Sequence, residues 1–151
     1  MPAITDVASA FAATEHSDWA SQAEAAARTA LRAATGEAAL DWTSVLALAL
    51  ARQRRAAEAL PLFERVALAR PEVPEHWANL GNALCEVGRE SDALPPLQRA
   101  FLQGDRSSGL FYALARAELA NGRPLQALTC IERALAREAL DPEFLLLHAR
   151  V

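Results

Sequence analysis

The imidazoles of His16, His76 and His148 and the thiols of Cys85 and Cys130 are the scarce groups of the 151-residue chain that could serve as metal ligand, nucleophile or general base. Chemistry of that kind needs such groups to converge, and their spacing provides no grouping. The sequence contains no HExxH run, no GxSxG elbow, no glycine-rich phosphate loop and no paired CxxC. The histidines are scattered, and His76 beside Trp77 and His148 beside Leu147 read as surface or helix-packing residues. Each cysteine lies within an apolar-periodic stretch, which fits a small buried or groove-lining residue in a reducing compartment. The expectation is therefore no catalytic residue, no metal site and no cofactor.

The elements that carry these residues are helical. Proline and glycine cluster between apolar-periodic segments, and no stretch alternates apolar and polar residues with period two. With 52% hydrophobic and 23% charged residues, the composition is that of one soluble all-α domain. The net charge is -4 and no long basic run occurs, so neither nucleic acid nor an anionic membrane is the expected partner. All 15 basic residues are arginine, which together with abundant alanine points to GC-rich coding and a bacterial source. The first ten residues lack the pattern of a secretory signal, and the run from Val45 to Ala51 is too short to span a bilayer. A cytoplasmic protein is expected.

The stretch from His76 to Asp105 sets the plan. Trp77, Leu80, Leu84 and Val87 lie three and four residues apart and form one helical stripe; Ala93, Leu97 and Ala100 form a second, with Gly88 and Arg89 as the turn. A shift of 34 residues lays Leu46 on Leu80 on Leu114, and Ala47 on Gly81 on Ala115. The same shift aligns Ala59, Ala93 and Ala127, then Phe63, Leu97 and Ile131, then Val66, Ala100 and Ala134. Turn positions recur as Arg54, Gly88 and Gly122, and the unit start recurs as Pro74 and Pro142. Three units run over 40–73, 74–107 and 108–141.

The order Trp, Leu, Gly, then Ala, a large apolar residue and Ala, on this period, resembles the tetratricopeptide repeat. The middle unit matches best, through Trp77, Leu80, Gly81, Ala93, Leu97 and Ala100. The resemblance implies a TPR-like α-solenoid, a right-handed superhelical stack of antiparallel helix pairs. Small residues at 47, 81 and 115 would let the second helix of each pair approach the first. Leu50, Leu84 and Glu118 stand where the family carries an aromatic residue, and the Glu118 carboxylate is expected to reach solvent or an arginine. Pro61 and the pair Pro95-Pro96 fall near the start of their second helices, where a distorted first turn is expected.

The flanks depart from the pattern. Residues 1–39 read as a helical hairpin, a degenerate or capping repeat, built from Ile4 to Ala13 and Ser17 to Ala34. Ser17 or Asp18 is placed to cap the second helix and Gly36 to stop it. Residues 142–151 begin a further repeat or form a C-terminal capping helix; the apolar run Phe144 to Leu147 favours a chain that is part of a longer protein.

The resemblance also implies a concave groove lined by the first helices of successive units. The positions facing it are Ser44, Leu48 and Arg52, then Ala78, Asn82, Cys85 and Glu86 with Asn79 at the edge, then Tyr112, Arg116 and Leu119. The Asn82 amide can pair with a peptide backbone in any sequence context. Arg52 and Arg116 could hold a carboxylate by bidentate bonds, and Tyr112 offers a flat apolar face. The lysines of the carboxylate-clamp members are absent, so a chaperone C-terminal tail is not the expected ligand. The leading expectation is a non-catalytic protein-protein interaction module that binds a peptide or helix. A second reading is the N-terminal, substrate-recruiting region of a larger bacterial enzyme such as a sulfotransferase or glycosyltransferase. A third is self-association through the C-terminal apolar helix or the groove.

Overall fold

The computed structural model describes residues 3–138 and 141–151, apart from the side chain of Ser17. Among the described residues the regular structure is helical, with no strand. The helices are α1 (Val7–Thr14), α2 (Ala20–Ala30), α3 (Gly36–Arg52), α4 (Ala56–Ala69), α5 (Pro74–Glu86), α6 (Glu90–Leu102), α7 (Ser108–Ala120), α8 (Pro124–Leu135) and α9 (Pro142–Arg150), with a 3-10 turn at Ser17–Trp19. They fall into two compact units, Met1–Arg70 and Pro71–Val151.

In the first unit α1 opens on a capping box. Asp6 accepts from the Ser9 amide at 2.8 Å, and Ser9 Oγ accepts from the Asp6 amide at 3.1 Å. Both α1 and α2 lie against α3 through alanine faces, with Ala10, Ala13, Ala20, Ala23 and Ala27 buried. Alanine suits this contact because it admits close approach at no side-chain entropy cost. The helix expected over Ser17 to Ala34 is shorter at both ends. Its N-cap is Trp19, which makes no side-chain cap bond; Asp18 lies in the preceding 3-10 turn, and the side chain of Ser17 is outside the described part. Gly36 does not stop α2, which ends at Ala30. With φ at 59° it opens α3, using the left-handed conformation to redirect the chain. Arg70, at the end of α4, reaches back to Glu37 and Asp41 of α3 at 2.6 and 2.7 Å.

In the second unit α5 pairs with α6 and α7 with α8, each pair joined by a tight turn. The 34-residue register is realised as packing: Ala93, Leu97 and Ala100 of α6 are buried, as are Ala127, Ile131 and Ala134 of α8 and Ala59, Phe63 and Val66 of α4. The small residue at 81 is required. A Cβ added to Gly81 would stand 2.4 Å from Cγ and Cδ2 of Leu97.

Each hairpin turn uses one device. Arg54, Gly88 and Gly122 have φ of 62, 78 and 71°. The following amides, of Arg55, Arg89 and Arg123, donate to the carbonyls of Leu50, Leu84 and Glu118 at 2.9, 2.8 and 2.9 Å. This is the bond that closes a helix on a left-handed residue. The same bond ends α6, where Gly104 has φ of 106° and the Asp105 amide donates to Ala100 at 3.1 Å.

The prolines sit deeper than expected. Because α4 and α6 begin directly after these turns, at Ala56 and Glu90, Pro61, Pro95 and Pro96 lie in the second turn, and both helices continue through them. Each proline removes one intrahelical donor. The substitutions for the family's aromatic residue diverge. Leu50 and Leu84 are buried, and Glu118, itself buried, lies 3.5 Å from Arg123, the arginine outcome foreseen.

Arginines on the second helices, or just past their ends, cover rings on the first. The Arg99 guanidinium lies 4.2 Å from the centre of Trp77, and those of Arg133 and Arg137 lie 5.6 and 5.3 Å from Phe111. Trp77 Nε1 and Gln103 Nε2 both donate to the Pro71 carbonyl, at 2.9 and 2.7 Å. In α9, Phe144 and Leu147 are buried and Leu145 and Leu146 are exposed. No described helix is long and apolar enough to cross a membrane.

Candidate functional site

The second unit carries an open hollow of about 530 Å³ between the first turns of α5, the start of α7 and the loop that joins α6 to α7. Glu75, Ala78, Asn79 and Asn82 line it from α5, Asp105, Arg106 and Ser107 from the loop, and Gly109 and Leu110 from α7. The loop holds itself clear of this space. Asp105 Oδ1 accepts from the Ser107 amide at 2.8 Å, and Ser107 Oγ caps α7 by accepting from Leu110 at 3.2 Å. Arg106 folds back: Nη1 donates to the carbonyls of Phe101 and Asp105, and the guanidinium stacks 3.9 Å over the Phe101 ring.

Asn79 and Asn82, one helical turn apart, both reach this hollow. Among the described residues neither carboxamide has a protein hydrogen-bond partner. Both are among the positions expected to face a groove, whereas Glu75 and the Asp105-Arg106-Ser107 loop are not. The signal for the loop was the serine one residue ahead of an apolar-periodic run, which marks a helix start.

The other expected groove residues fare differently. Arg116 is committed within its own unit: Nη2 donates to the Cys85 carbonyl at 2.8 Å and to Glu90 at 2.9 Å, and Nη1 lies 3.5 Å from Glu86. The expectation that Arg116 holds a ligand carboxylate is corrected accordingly, because carboxylates of this chain already occupy its fork. Glu86 is exposed at the edge of that cluster. Tyr112 gives one face to Phe144, with ring centres 5.0 Å apart and planes at 29°, so that face is not offered to a ligand. Cys85 is buried, one of the two positions expected for it, and Ala78 is buried as well, because α5 packs on α7 as well as on α6. The Cys85 thiol is free and pushed up to about 11 by burial, which leaves it protonated at neutral pH. In the first unit Ser44 is only 4% exposed and presents little surface, whereas Leu48 is half-buried and Arg52 exposed. Among the described residues no group of three or more His, Cys, Asp or Glu side chains is placed to hold a metal ion.

Arg116 instead acts as a brace between α7 and the α5–α6 turn. Burial pushes the Glu90 carboxyl up, but its own backbone amide and the Arg116 hydrogen bond and charge outweigh this and bring it below the ordinary carboxylate range. A depressed carboxyl stabilises the fold above its unfolded value of about 4.3 and loses that contribution as pH falls through the folded value. Arg116→Met is expected to lose about 1–3 kcal/mol at pH 7. Urea midpoints measured between roughly pH 5 and 3 should fall more steeply for the parent chain than for the variant. Parallel pH curves would count against the brace.

Over residues 44–108 and again over 108–151, the sequence matches the tetratricopeptide repeat. No curated protein matches it. Among solved structures, the chain is similar to YrrB, described as a TPR protein with an unusual peptide-binding site, with a TM-score of 0.71 and 20% identity. That likeness covers 88% of this chain and 66% of YrrB, so the chain spans just under two thirds of that protein's length. MamA of AMB-1 aligns with a TM-score of 0.65 and 22% identity over 79% of this chain and 77% of its own. PcrH, solved in complex with the chaperone binding region of PopB, aligns with a TM-score of 0.60 and 19% identity over 77% and 94%. At these identities the likeness is one of fold, the all-α TPR solenoid. The 34-residue register, the Gly81–Leu97 contact and the recurring turn had already described such a repeat in physical terms, and with the matches over 44–151 the chain belongs to the tetratricopeptide repeat family.

Proposed function

We propose that the chain is a non-catalytic protein-interaction module whose second unit receives an extended peptide over Asn79 and Asn82. The observation that carries this reading is the pair of carboxamides, a turn apart, facing an open hollow without protein partners among the described residues. A carboxamide both donates and accepts, so two of them can pair with the N–H and C=O groups of a bound strand whatever its side chains. The peptide-binding site named for YrrB and the bound PopB region of PcrH support the same reading. Arg116 maintains the spacing of α5 and α7 through its bonds to the Cys85 carbonyl and Glu90. In the first unit, Leu48 and Arg52 give α3 a contact surface of its own.

The test is selection of a phage-displayed random peptide library on the purified chain, followed by affinity measurement on the Asn79→Ala/Asn82→Ala variant. Two lost backbone pairings of ordinary strength weaken recovered peptides about 10-fold or more. Peptides that bind parent and variant equally would sink the assignment.

A further inference from the structure

Resting on that reading, we propose that the hollow selects a basic residue of its peptide, with the charged head of one lysine or arginine side chain between Glu75 and Asp105. Both carboxylates belong to the lining of the same hollow. Ala78 and Leu110 behind them are buried, so the charged head carries the contact.

These carboxylates are not neutralised from within. Glu75 has no partner among the described residues, and Asp105 engages Oδ1 with the Ser107 amide while Oδ2 makes no described bond. Arg106, the one cation among the lining residues, is turned onto its own loop and the Phe101 ring. Other arginines of the unit are drawn elsewhere: Arg99 over Trp77, Arg133 over Phe111, Arg89 to Asp92 at 2.8 Å and Arg116 to Glu90. An acidic peptide residue would therefore meet two carboxylates against the single cation Arg106, which is held on its own loop, whereas a basic one offsets the remaining negative charge. The sign of the expected ligand is the reverse of the one inferred from Arg116 and Arg52 in the sequence.

Sequencing the peptides that the parent chain selects from the random library reads the preference directly. Lysine or arginine should be enriched at one position relative to the residues that depend on Asn79 and Asn82. Recovered peptides should bind Glu75→Gln/Asp105→Asn roughly 3- to 30-fold more weakly, the range for two exposed charge contacts, with the gap narrowing as salt rises. The carboxamide in Asp105→Asn retains an acceptor for the Ser107 amide, so the loop is kept. Glu132→Gln, on the exposed face of α8, should leave affinity unchanged. Peptides that depend on Asn79 and Asn82 but carry no basic residue overturn this inference and leave the peptide-binding reading standing. An equal loss in Glu132→Gln overturns it as unspecific attraction. If no selected peptide depends on Asn79 and Asn82, both readings fall.

Discussion

Leu97→Ala lowers the unfolding free energy of the second unit by about 2–5 kcal/mol, the range for emptying a fully packed leucine site. Leu97 has no exposed surface, and its Cγ and Cδ2 fill the position where a residue larger than glycine at 81 would put its Cβ. Gly81→Ala is expected to cost about 1–3 kcal/mol by overpacking the same contact. The two changes should not add. With alanine at 97 the space beside 81 is vacated, so the double variant recovers about 0.5–3 kcal/mol relative to the sum. Urea unfolding followed by fluorescence, with Trp77 as a reporter inside the unit, measures all three. Strict additivity would show that this contact does not set the spacing of α5 and α6.

Glu118→Leu is expected to stabilise the chain by about 1–3 kcal/mol, an unusual direction for a change at a buried position. Glu118 is 7% exposed and occupies the register position of Leu50 and Leu84, both of which are buried. Its described side-chain contact is Arg123 at 3.5 Å, at the outer edge of hydrogen bonding, and that arginine side chain is 53% exposed. The pair is long and open to solvent on the arginine side, and a leucine of similar volume replaces it with the apolar packing seen at 50 and 84. Arg123→Ala should act oppositely, by about 1 kcal/mol or more, because it leaves the carboxylate unpaired. Thermal and urea unfolding of the two variants check the signs. A destabilised leucine variant would mean that the carboxylate holds something the pair with Arg123 does not account for.

The fold was legible because packing in this family repeats with the period of the sequence. The period alone places Leu97, Ile131 and Phe63 inside, since each position reports on two others at a fixed offset. What the period does not encode is where a long side chain goes. Arg116 faces outward by register, yet its partners Glu86 and Glu90 lie 30 and 26 residues earlier and meet it only through folding of the α5–α6 turn. The apolar stripe left Cys85 either buried or groove-lining, and what decides for burial is a contact between successive first helices, its Sγ lying 4.0 Å from the Ala113 carbonyl. The position of Gly36 misled because a left-handed glycine can end one helix or redirect the chain into the next. Asn79 and Asn82 lie on the open side of α5 where the period puts them, because short side chains stay where the helix places them.

Positions 54, 88 and 122 share a torsion but not a residue. Glycine enters that conformation without steric cost, whereas an arginine gives up about 1–2 kcal/mol to hold it. The hairpin between α3 and α4 nevertheless holds it, and closes on the same amide-to-carbonyl bond as the other two. What is copied along this chain every 34 residues is therefore a dihedral angle, with amino-acid identity following only as closely as each hairpin can tolerate. A comparison of letters alone undercounts how alike the three hairpins are.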